Sequence, residues 1–165
     1  MFLTIVCIIL CILFTIAILV PQYKNPLSQI VSYPPAIRKR VESLPEYQPV
    51  LKKTKRKNIG RKIVAAVLFI PIILAVISYF SGAKTFLSTF LTSFIVFTVV
   101  NLYDLIVLDI INFCHSKKLR IKGTEDMVKE YKNPKHHIRG FFIGCGFGLV
   151  ISALSGGIIV LYNQI

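Results

Sequence analysis

Two aspartates inside an apolar segment, and a histidine pair just ahead of another, are the residues of this chain whose types and spacing could do chemistry. Asp104 and Asp109 lie in the run NLYDLIVLDIINFCH, and no other acid occurs within the four long apolar stretches. A carboxylate surrounded by hydrocarbon costs several kcal/mol unless it is solvated or paired, so both are expected to face a bundle interior or a wet opening at its edge. At about 100° per residue, Asn101, Asp104, Asn112 and His115 share an arc of roughly 80°, with Ser93 beside one edge and Thr98 and Asp109 beside the other. His136, His137 and Arg139 stand immediately before the last apolar stretch, so this polar stripe, the histidines and Glu125 could converge into one pocket. Imidazoles and carboxylates there would exchange protons. A metal would use His115, His136 and His137, and Arg139 with Lys135 would hold a phosphate. The spacing matches no established metal or catalytic motif, adjacent histidines tend to point apart, and no metal or other cofactor is expected. The competing reading is that Asp104 and Asp109 lie at the membrane interface, pair with loop Lys and Arg side chains, and merely anchor a helix.

The elements that must position these residues follow from the apolar runs at about 2–20, 63–80, 86–113 and 140–163, each long enough to cross a hydrocarbon core about 30 Å thick. The expected fold class is therefore an all-α integral membrane protein, a four-transmembrane-helix bundle forming one membrane domain over residues 1–165. Of the 20 Lys and Arg residues, 11 lie between positions 21 and 62 and 8 between 114 and 139, which leaves only Lys84 elsewhere. Cytoplasmic loops are enriched in these residues, so loops 21–62 and 114–139 are placed in the cytoplasm, both termini outside, and the protein in the cell membrane. The chain is 55% hydrophobic and its net charge of +13 is concentrated in those loops, unlike a soluble enzyme. Four helices and two loops use the whole 165 residues, leaving no room for a separate catalytic domain. The first stretch reads as an uncleaved helix, since no cation precedes it and no small-x-small cleavage site follows before Pro21.

Within that frame the third span is overlong: 28 residues from Phe86 to Phe113 make about 42 Å at roughly 1.5 Å per residue, so it must tilt or emerge into the headgroups. Spans two and three are joined by SGAKT and must form an antiparallel hairpin, with Pro71 bending the second locally. In the fourth span Gly140, Gly144, Gly148, Ser152 and Gly156 recur every four residues. Small residues at that spacing let another helix backbone approach closely, whether from this chain or from a second copy. The four cysteines form no metal motif or disulfide framework; Cys7 and Cys11 share one face of the first helix and are expected to pack there.

The loops carry their own signals. Six prolines between positions 21 and 49 exclude a long helix in the first loop, although AIRKRVESL can form a short one. Lys52, Lys53, Lys55, Arg56, Lys57, Arg61 and Lys62 sit directly before the second span, an arrangement that attracts anionic headgroups at about 1 kcal/mol per charge. Nucleic acid is not an expected partner, because aromatics are not interleaved with these cations. In the second loop Leu119 and Ile121 alternate with Arg120 and Lys122, Gly123 turns the chain, Thr124 is placed to cap a short helix, and Asn133 with Pro134 ends it. Three functional readings follow. The leading one is a noncatalytic accessory or homo-oligomeric membrane component that meets anionic lipid through its basic loops. The others are an ion or small-solute pathway along the third span and an interfacial enzyme acting on a lipid or lipid-linked phosphate.

Overall fold

The computed structural model describes residues 1–51 and 59–165, with side chains described outside 52–67. It is all helical, with no strand among the described residues: α1 (Phe2–Lys24), α2 (Pro35–Ser43), α3 (Ile59–Phe80), α4 (Phe86–Tyr103), α5 (Val128–Tyr131) and α6 (Lys135–Tyr162). A π-helical segment, Asp104–Phe113, continues α4 without a break. Three stretches, Phe2–Lys24, Phe86–Phe113 and Val128–Tyr162, are long and apolar enough to cross a membrane, and the apolar part of α3, Leu68–Phe80, is shorter.

The distribution of side chains is the reverse of that in a water-soluble bundle. Ile12, Leu13, Phe69, Leu87, Ile95, Phe142 and Phe147 are more than half exposed, while Ser78, Thr89, Ser93, Ser152 and Ser155 are buried between helices. Lipid tails are as apolar as leucine, so in a bilayer the outer surface needs no covering and small polar residues serve the helix contacts. The Ser78 and Ser93 hydroxyls lie 3.1 Å apart and join α3 to α4. Gly82, at φ +92°, makes the turn between these helices, and Thr85 then starts α4 by accepting the Ser88 N–H at 3.2 Å.

The glycine ladder of α6 packs on α4 of the same chain. A Cβ at Gly144 would lie 2.6 Å from Asn101 Oδ1, at Gly148 2.7 Å from the Phe97 ring, and at Gly156 3.0 Å from the Phe86 carbonyl oxygen. Ser152 is buried in the same stripe, whereas Gly140 faces open space. The close-packed part of the ladder is thus occupied within the chain.

Two helix boundaries differ from the expected ones. α1 runs through Pro21 to Lys24, since a proline near a helix end removes only one backbone hydrogen bond, and Asn25 N–H still reaches Pro21 O at 3.0 Å. α6 begins at Lys135, so His136, His137 and Arg139 sit on its first turns rather than in a loop.

The described parts of the two basic loops fold together. Ile30, Tyr33, Ile37, Val41 and Leu51 from the first loop share a buried cluster with Leu119, Ile121 and Tyr131 from the second, closed by Phe113 and Cys114 at the end of the π segment. The Tyr33 hydroxyl donates to Leu119 O at 2.9 Å, and Ile121 N–H donates to the Tyr131 hydroxyl at 3.0 Å. Leu119 and Ile121 are both buried, as their alternation requires, and Gly123 turns at φ +82°. Thr124 does not cap a helix: α5 starts later, at Val128, and the buried Thr124 hydroxyl donates instead to Ile121 O at 2.6 Å. A side chain sealed in a core finds its partner there, and the local capping preference yields.

Candidate functional site

The site begins with the change of helix type in α4. Cys114 N–H donates to Asp109 O, five residues back, at 3.0 Å. In an α-helix, side chains five apart point about 140° away from each other. In a π-helix the i to i+5 hydrogen bond brings them nearly above one another. Asp104 and Asp109 therefore fall on one face, and with Leu105 and Leu108 they line a cleft of about 240 Å³. The other walls are Ile18 and Gln22 from α1, Gln29 and Ser32 from the turn after it, Asn101 from α4, and His136, His137, Gly140 and Phe141 from the start of α6.

Asp109 and His137 form the centre of this arrangement. His137 Nδ1 lies 3.0 Å from Asp109 Oδ1, across α6 and the π segment. The imidazole is 5% exposed and its ring centroid lies 4.9 Å from that of Phe113. An ionised carboxylate only accepts, so Nδ1 carries the hydrogen, and in the neutral form of the ring Nε2 presents a lone pair. That Nε2 is buried and has no hydrogen-bond partner among the described residues. Asp104, half-buried in the same cleft, makes no hydrogen bond or ion pair among the described residues. Asn101 is fixed by its amide, which donates to Phe141 O at 3.0 Å. None of the residues lining the cleft is Lys or Arg, although the chain carries a net charge of +13.

The remaining candidates lie elsewhere. Asn112 accepts the Tyr23 hydroxyl at 2.6 Å and ties the end of α1 to the π segment. The exposed His115 places Nδ1 2.9 Å from Ile110 O. The wider pitch turns His115 away from Asp104, and Asn112 is not among the residues lining the cleft, which corrects the stripe drawn at α-helical spacing. Arg139 is exposed and lines a neighbouring depression with Pro34, Pro35, Glu130 and Lys135, which shares His136 with the cleft. Glu125 accepts the Gly123 N–H at 2.8 Å and takes no part in the cleft. His136 and His137 do not point apart: their ring centroids are 5.4 Å from each other. No group of three or more metal-ligating side chains occurs among the described residues, and His115 is not part of the cleft. Lys52, Lys53, Lys55, Arg56 and Lys57 lie outside the described residues, as do the side chains of Arg61 and Lys62.

Gln22, Gln29 and Ser32 escape the sequence reading, although a glutamine at the end of a long apolar run is a usable signal. Gln22 is 5% exposed, and the Gln29 amide donates to Ile18 O at 3.1 Å, which folds the turn back onto α1. A second cavity, of about 440 Å³, adjoins the cleft. Leu13, Phe14 and Ala17 of α1 line it opposite Ile70, Ile73 and Leu74 of α3, and it ends at Asn101 and Asp104. No protein-family model, curated protein or solved structure matches the chain.

Proposed function

We propose that this chain is a small four-span protein of the cell membrane, with both termini outside, whose interfacial cleft binds a polar ligand without transforming it. The topology rests on the placement of 19 of the 20 Lys and Arg residues within positions 21–62 and 114–139, and on the apolar outer surface of the helices. In this reading the polybasic run before α3 holds anionic headgroups, and oligomer contacts use faces other than the occupied glycine ladder. One observation carries the binding role: a buried imidazole that lines a polar cleft is oriented by a carboxylate and leaves its second nitrogen without a hydrogen-bond partner among the described residues. Buried polar atoms are nearly always hydrogen-bonded, so an orphan of this kind calls for a partner supplied from outside.

Binding is favoured over catalysis because His137 Nε2 meets no hydroxyl or thiol among the described residues, the pairing that covalent catalysis needs. A conduction pathway is less favoured because, of the buried hydroxyls farther along α4, those of Ser93 and Thr89 are engaged and Thr98 Oγ1 alone is without a partner among the described residues. Ser93 is matched with Ser78, and Thr89 donates to Ala83 O at 3.3 Å.

The test is the sign of the stability change in Asp104→Asn. An acid that anchors a helix stabilises the fold, so its loss lowers the melting temperature. An unpaired acid kept for a ligand is a liability in the free protein. The expected result is a rise of about 2–4 °C in Tm, corresponding to roughly 1 kcal/mol for a chain of this size. A fall of similar size would return Asp104 to the anchoring role.

A further inference from the structure

We propose that the cleft and the apolar cavity beside it form one site for a single-chain membrane amphiphile whose head is a protonated amine. This deepens the binding reading above and rests on it. The two cavities meet at Asn101 and Asp104, which line both, so a molecule with a polar head in one has its hydrocarbon tail in the other. The tail lies between α1 and α3. Leu13 and Ile73 on the walls of that groove are 57% and 50% exposed on the outer surface, which opens it sideways to lipid chains.

Charge selects the head. Asp104 and Asp109 bring two carboxylates to the cleft, with no Lys or Arg among the lining residues to neutralise them. An ammonium group has three donors and no acceptor. Opposite it stand the Asp104 carboxylate, an acceptor with no partner among the described residues, and the buried His137, whose Nε2 is unpartnered among the described residues and accepts when the ring is neutral. A phosphate would meet the same carboxylates as repulsion. Because the cleft adjoins the groove directly through Asp104, the amine belongs at the end of the chain itself, without a phosphodiester between them.

The full-length protein in phosphatidylcholine nanodiscs tests this with tetradecylamine as probe. Tetradecanol supplies the same chain without the charge, butylamine the head without the chain, and tetradecyl phosphate the opposite charge. Tetradecylamine is expected to raise Tm by several degrees, and the three comparison compounds by much less. Asp104→Asn removes the charge that holds the head and Ala17→Phe fills the groove from an exposed position on α1, so each should weaken tetradecylamine binding about tenfold or more. Equal shifts from tetradecanol or tetradecyl phosphate overturn the proposal, because the acids then do not read the head. A shift from butylamine that depends on Asp104 and gains nothing from the longer chain overturns the amphiphile while leaving the cleft as a binding site. Saturation by phosphatidylethanolamine in the nanodisc overturns the assignment to a single-chain amine. No response of the unsubstituted protein to any amine also overturns it, and the sign of the Asp104→Asn stability change then judges the cleft separately.

Discussion

Asp109 and Asp104 are five residues apart and both carboxylates reach the same cleft, yet they do different physical work. Asp109 satisfies the buried His137 Nδ1 at 3.0 Å, so its removal leaves a donor stranded in a low-dielectric environment. Asp109→Ala is accordingly expected to cost about 1–3 kcal/mol, read as a drop of several degrees in Tm. Asp109→Asn keeps an acceptor for the imidazole and should lose less. Asp104→Asn should move in the opposite direction, since that carboxylate makes no ion pair or hydrogen bond among the described residues. Thermal melts of the three variants in one detergent decide the matter, and a uniform loss across them would assign both acids to structure.

At the scale of the elements, the α4–α6 contact is the firmest part of the bundle, and its glycines are not equivalent. Gly148→Leu drives a side chain into the Phe97 ring, 2.7 Å from the Cβ position, and Gly144→Leu displaces the Asn101 amide that helps shape the cleft. Overpacking of this kind costs about 1–3 kcal/mol. A Cβ at Gly140 or Gly157 meets nothing within 4 Å, so Gly140→Leu and Gly157→Leu should leave Tm within about a degree. Melting curves of the four variants check the order, and equal loss at Gly140 would show that a partner molecule covers that face.

The ladder was legible because spacing by four survives any depth error, and the third apolar span could be delimited at Phe86 and Phe113 because apolar length is a summed property of the run. The site was legible only in part. Asp104, Asp109, Asn101, His136 and His137 do converge, but Asn112 and His115 do not: Asn112 is held by Tyr23, and the change of pitch at Asp104 carries His115 round the helix. Nothing in DLIVLDIINF announces a π-helix: its residues suit an α-helix equally well, and the wider pitch is set by what the segment packs against. Gln22 and Gln29 escaped for a related reason, since a glutamine carries no chemistry until tertiary contacts say what it faces.

The whole molecule joins a lipid-facing bundle to a small folded cap made from its two basic loops, and the cleft lies at their junction. Phe113 shows the coupling: it packs on Tyr33 at 4.8 Å in the cap and on His137 at 4.9 Å in the site. Loosening the cap should therefore loosen the cleft. Tyr33 is fully buried, and Tyr33→Ala removes a large ring and its bond to Leu119 O at a cost of about 3–5 kcal/mol.

Cys114 provides the readout, being buried in the same cluster beside Phe113. Burial first, and the charge of Asp109 second, push its thiol above the usual range. The thiolate is the reactive form, so labelling by a membrane-impermeant maleimide should be slow at neutral pH. It should still be climbing as pH passes the ordinary thiol value of about 8.5. In Tyr33→Ala the shielding is lost, the profile should move down toward that value, and the rate at pH 7 should rise about tenfold or more, followed at Cys114 by mass spectrometry. The same reagent tests orientation: with both loops inside, it should reach Cys114 of the variant in inverted membrane vesicles and fail to do so in intact cells. Labelling from outside would reverse the sidedness and turn the cleft toward the opposite face of the membrane.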